Sequence, residues 1–128
     1  MTPEFFVDAL VTVVHETSVE DTLNELRDGP AGRRPPKNLV RLSEWYGEKS
    51  PQDHAYIRQV VEQAVHSALF GTLCVLDGVR AIEGIGEKSE IEVFSVLGDQ
   101  RSRLNPPNSP LHDIYQAQIY DRVFGKSR

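Results

Sequence analysis

Cysteine is nearly absent from this chain: Cys74 is the only one. A lone cysteine excludes an internal disulfide and any cysteine-based zinc site. It sits in the apolar run Leu73-Cys74-Val75-Leu76, which disfavours a thiolate, so it reads as core. Positive charge is also scarce. Fourteen Lys and Arg face 19 Asp and Glu, a net charge of −5. That balance argues against a general nucleic-acid binder. No run reaches the roughly 18 apolar residues of a membrane span. The opening Met1-Thr2-Pro3-Glu4 puts no basic region before an apolar one, so a secretory signal is not expected and a cytoplasmic setting is the default. His15, His54, His66 and His112 share no metal-ligand spacing. Gly84-Ile85-Gly86 lacks the third glycine and following helix of a dinucleotide fingerprint and reads as a turn. No cofactor is implied.

What is present suits one domain over residues 1–128, with 39% hydrophobic content to fill its core. The organising stretch is Ser50 to Leu76. Ser50 is placed to cap a helix, and Pro51 fits its first position, where a missing N–H costs nothing. Ile57, Val60, Val61, Ala64, Val65, Ala68 and Leu69 recur at the spacing of one helical face. From Ala68 onward apolar residues occur at every angle. A continuous helix fits this run. So does a helix ending at Gly71, followed by a strand over Thr72–Leu76 and a turn at Asp77-Gly78. The unbroken register favours the helix.

Thr2-Pro3 predicts a helix to about His15, and Ser18 a second one ending near Asp28-Gly29-Pro30. The stretch from Asp28 to Lys37, with two glycines and three prolines, is a loop. Leu39 to Tyr46 reads as a short helix. Glu90 to Leu97 and Gln100 to Leu104 form a hairpin around Gly98-Asp99, a glycine-first turn that pairs Leu97 with Gln100 and Phe94 with Arg103. Ile91, Val93, Leu97 and Leu104 then share the inner face. Ser109-Pro110 opens a last helix, and Gly125 to Arg128 is a tail. The expected fold is α+β: helices packed around a long central helix, with a small antiparallel hairpin.

Three groups of residues are candidates for function. Phe94, Val96, Arg101 and Arg103 lie on the outer hairpin face, where aromatic and arginine side chains together suit an interface. Arg33 and Arg34, with Lys37, are placed to meet an acidic partner, or are simply a solvated loop. Asp77, Arg80 and Glu83 form a polar cluster directly after the buried run; an Asp there also readily bonds local backbone.

The stretches Leu42-Ser43-Glu44-Trp45-Tyr46 and Leu69 through Glu83 resemble ones in small bacterial proteins of unknown function. The resemblance implies no activity; some small acidic bacterial proteins of this general look neutralise toxins, and by that analogy of type alone a regulatory or immunity-like role is an expectation. The leading expectation is a non-enzymatic interaction protein whose partner is another protein or a second copy in a homodimer. The alternative is a small enzyme or ligand-binding domain with a pocket near Asp77 and Arg80.

Overall fold

The computed structural model describes residues 1–82, 84 and 86–125. The fold is α+β, with one long helix and one two-stranded antiparallel sheet. No helix among the described residues is long and apolar enough to cross a membrane. Two compact units form: Met1–Val14 with Ser67–Arg128, and His15–His66.

The long helix, α4, runs unbroken from Pro51 to Leu76. Its start is as the residues demand, with Asp53 N donating to Ser50 Oγ at 3.1 Å. Gly71 does not stop it. This glycine is buried, and a Cβ there would lie 2.5 Å from Arg80 Nη1, so the guanidinium occupies the space a side chain would need. The apolar stripe behaves differently from expectation. Val60 is 68% exposed, and Ala64 and Ala68 are also open to solvent, while Glu62 and His66 are half-buried. The buried side is rotated relative to the hydrophobic stripe. That stripe spans roughly half the circumference, more than one neighbouring helix can cover. Full burial is reached only at Gly71, Leu73 and Cys74.

In the unit made of the two chain ends, α1 (Pro3–Ala9) is capped by Thr2, whose Oγ1 accepts from Phe5 N at 3.1 Å. The last helix, α5 (Leu111–Ile119), packs with it. Val7, Val11, Leu73, Leu111, Tyr115 and Ile119 make the core. Burial pushes the Tyr115 phenol up to about 12. At the rim, Arg122 Nη1 reaches Asp8 Oδ1 at 2.6 Å and Arg122 Nη2 donates to Thr12 Oγ1 at 2.7 Å.

In the other unit, α2 (Thr17–Asp28) pairs with α3 (Lys37–Gly47). Val19, Leu23 and Tyr46 are buried, and Ser43 Oγ donates to Leu26 O at 2.9 Å. His54 stacks on Tyr46 with ring centroids 3.9 Å apart.

The break expected between His15 and Ser18 does not occur. A π-helical segment, Leu10–Glu16, joins α1 to α2, and Glu16 keeps helical angles. His15 therefore does not stand at a helix end. It is buried, and its pKa is lowered, first by burial and then by the nearby His66. Burial lowers His66 as well.

Unfolded His15 takes up a proton near its ordinary value of about 6.5, whereas the folded residue resists it until lower pH. The stabilisation is present above that value and is lost as pH falls below it. The urea midpoint should drop between about pH 7.5 and about pH 5.5, and less steeply in His15→Leu. Equal slopes in the two proteins would show that His15 is not held neutral by the fold.

Candidate functional site

The hairpin follows its local chemistry closely. β1 (Phe94–Leu97) pairs with β2 (Gln100–Arg103) in the register Phe94 with Arg103 and Leu97 with Gln100. Gly98 has φ +58°, and no non-glycine residue among the described residues, Asp99 included, has positive φ, as a glycine-first turn requires. Leu104 N donates to Val93 O at 2.7 Å, extending the ladder by one bond.

Arg101 and Phe94 are diagonal neighbours on the outer face, and the guanidinium lies 4.0 Å from the ring centroid. This is cation–π distance. Arg103 turns to the base of the hairpin, with Nη2 on Glu90 Oε1 at 2.7 Å and Nη1 on Glu92 Oε1 at 3.2 Å. Val96 is 64% exposed and Leu97 79% exposed. Leu97 was expected on the inner face with Ile91, Val93 and Leu104. Of these only Leu104 is fully buried, because the tip of the hairpin projects beyond what lies beneath it. The four outer-face residues thus divide: Phe94 and Arg103 are half-buried and internally engaged, while Val96 and Arg101 are exposed.

The hairpin is tied to the end of α4 by Asn105, which is 4% exposed. Its Oδ1 accepts from Val93 N at 2.8 Å and from Arg103 Nε at 3.3 Å. Its Nδ2 donates to Leu76 O at 2.9 Å and Ile91 O at 2.8 Å. In the sequence Asn105 stands before Pro106-Pro107, where a chain leaving a sheet is all that is legible. A side chain whose partner is 29 residues away leaves no local signal.

Asp77 and Arg80 of the polar cluster turn to different partners. The Asp77 side chain, directly after α4, is buried and serves α5. Its Oδ2 accepts from the His112 backbone N–H at 2.8 Å and from His112 Nδ1 at 2.7 Å. Pro110 precedes α5 without a side-chain cap, so Asp77 supplies the acceptor that the helix start lacks. Arg80 folds back over Gly71 instead. Glu83 lies outside the described residues, as does Ile85 of the glycine turn.

The Asp77–His112 pair has the layout of a base and its orienting carboxylate. With Asp77 ionised, His112 Nδ1 carries the proton and Nε2 lies 3.3 Å from Asp113 Oδ1. The Cys74 thiol, three residues before Asp77, is buried and its pKa is raised, mainly by that burial. It is therefore unsuited to attack at neutral pH. The pair acts as a clamp between two helices.

A cleft of about 270 Å³ lies at the hairpin base, walled by residues that include Asp77, Glu90, Arg103 and Asn105. Most of its polar groups are engaged internally; Asp77 Oδ1 is a buried oxygen with no hydrogen-bond partner among the described residues. Arg80 lines a separate hollow of about 210 Å³ with Lys88 and Ser89. No group of three or more His, Cys, Asp or Glu among the described residues is placed to hold a metal ion. Arg33 and Arg34 are exposed on the loop before α3 and form no ion pair among the described residues.

No protein-family model, curated protein or solved structure matches this chain.

Proposed function

We propose that the protein is a non-catalytic interaction module that pairs with a second copy of itself along the free edge of β1. The observation carrying this is the asymmetry of the hairpin. β2 reads Gln-Arg-Ser-Arg, and charged side chains protect a sheet edge from pairing. β1 reads Phe-Ser-Val-Leu, carries no charge, and exposes Val96 and Leu97. Each strand has one edge unpaired among the described residues.

A two-fold axis at Val96 lays β1 antiparallel to its copy with Val96 opposite Val96, the self-complementary arrangement of most dimers. The carboxylates before β1, Glu90 and Glu92, are already met by Arg103, so they do not set the copies against each other. In this reading Arg101 and Phe94 brace the outer face, and Asn105 holds the hairpin at a fixed angle. The role is regulation by contact, of the kind an immunity-like protein exerts.

The test is mass against concentration in solution. The wild-type chain should show a reversible monomer–dimer equilibrium. Val96→Lys places like charges across the axis and should weaken it by about tenfold or more. The substitution is on an exposed side chain, so unfolding stability should change by less than about 0.5 kcal/mol. A wild-type chain that stays monomeric to about 1 mM would defeat the reading. So would a Val96→Lys chain that dimerises as well as its parent.

A further inference from the structure

The second surface with unspent chemistry is on α3 and the loop before it. Residues 27–49 hold six Lys and Arg against three carboxylates, a local charge of +3 in a chain of −5, which leaves −8 for the remainder. Arg33, Arg34, Lys37 and Arg41 are all exposed and form no ion pair among the described residues. On a helix of 3.6 residues per turn, Lys37, Arg41 and Trp45 share one face with Glu44 and Glu48, two of the carboxylates counted in the local +3, and Leu42 lies beside them. Trp45 is 44% exposed and Leu42 47% exposed. Lys49 Nζ stands 5.1 Å from the Trp45 ring centroid. The other side of the helix carries Tyr46, the buried residue of α3, and Ser43, bonded to α2.

Large apolar side chains set among unpaired cations are costly to leave in water and are enriched at binding surfaces. The geometry points to a docking site for an acidic segment of a partner protein, one that carries carboxylates for Arg33, Arg34, Lys37 and Arg41 and an apolar side chain for Trp45 and Leu42. Charge decides between occupants. Nucleic acids and anionic membranes present a long-range negative field, and a chain of −5 is repelled by it overall. A short acidic segment meets only the local +3 within the screening length of physiological salt. From Lys37 to Trp45 the face is about 12 Å long, matching roughly four residues of extended chain. This site is independent of the hairpin edge.

Trp45 is the only tryptophan, so its emission reports on this site alone. The experiment titrates the full chain with a synthetic peptide of alternating Glu and Leu-Glu blocks. Oligo-dT and phosphatidylserine-containing vesicles are run in parallel. The peptide should shift Trp45 emission to the blue, with an apparent Kd that rises about tenfold or more from low to high salt. The double variant Lys37→Glu, Arg41→Glu should raise the Kd by about tenfold, while Val96→Lys should leave it unchanged. A polyglutamate peptide of equal charge without Leu should bind more weakly. Absence of any shift with the peptide would overturn the inference. So would tighter binding to oligo-dT or vesicles, or a Kd indifferent to the charge reversal.

Discussion

Asn105→Asp should destabilise the protein by about 3 kcal/mol at neutral pH, although it changes the side chain by a single atom and a charge. The acceptor side survives, because a carboxylate oxygen still faces Val93 N and Arg103 Nε. The donor side is inverted. Nδ2 gives protons to two carbonyls, Leu76 O and Ile91 O, and in the variant an anionic oxygen would stand 2.9 and 2.8 Å from them. The new charge has Arg103 for company but is buried with two oxygens against it. Urea unfolding measures the loss. Amide hydrogen exchange locates it: Val93 and Leu104 should lose protection first, since their bonds are the ones Asn105 organises. A loss below about 1 kcal/mol would mean the hairpin is held by something other than this side chain.

Leu73→Ala should cost about 3 kcal/mol, and Val60→Ala less than about 0.5 kcal/mol, although both are apolar residues of the same helix. Leu73 is 2% exposed and sits in the core with Val7, Leu111 and Tyr115. Removing three of its carbons leaves a cavity that neighbours on several elements cannot all close. Val60 has most of its surface in water already. Its replacement removes a β-branched residue from a helix interior, which recovers a few tenths of a kcal/mol in propensity. Urea midpoints at constant m-value give both numbers. Comparable losses at the two positions would restore the whole apolar stripe, from Ile57 to Leu69, as the buried face of the helix.

That contrast bears on function as well as stability. If the first half of α4 carries little of the fold, variation there leaves the hairpin undisturbed. The hairpin depends on Leu76, Asp77 and the residues that follow them. Its presentation is governed by Asn105 and its exposed chemistry by Val96 and Leu97. Substitutions at Phe94 or Arg103 would confuse the two, because both side chains are engaged within the hairpin.

The features legible in the chain are those whose partners lie within a few residues. Ser50 meets the third N–H after it, Thr2 does the same, and Gly98 sets a two-residue turn whose geometry dictates Leu97 opposite Gln100. The continuity of Pro51–Leu76 through Gly71 also belongs here, since an unbroken apolar register outweighs the cost of one glycine. Such features involve backbone groups that must be satisfied nearby or not at all. Only the tertiary structure decided which flank of α4 faces water, that a π segment carries α1 into α2 past Ser18, that His15 is buried, and that Asp77 turns to His112 rather than to Arg80. Each of these depends on what arrives from elsewhere in the chain. Asp77 and His112 are 35 residues apart, and Asn105 and Leu76 are 29 apart. A periodic stripe states that a helix has something to bury; how much of it finds cover is fixed by the size and placement of its neighbours, and here the cover extends over its last turns and leaves Val60 and Ala64 in solvent.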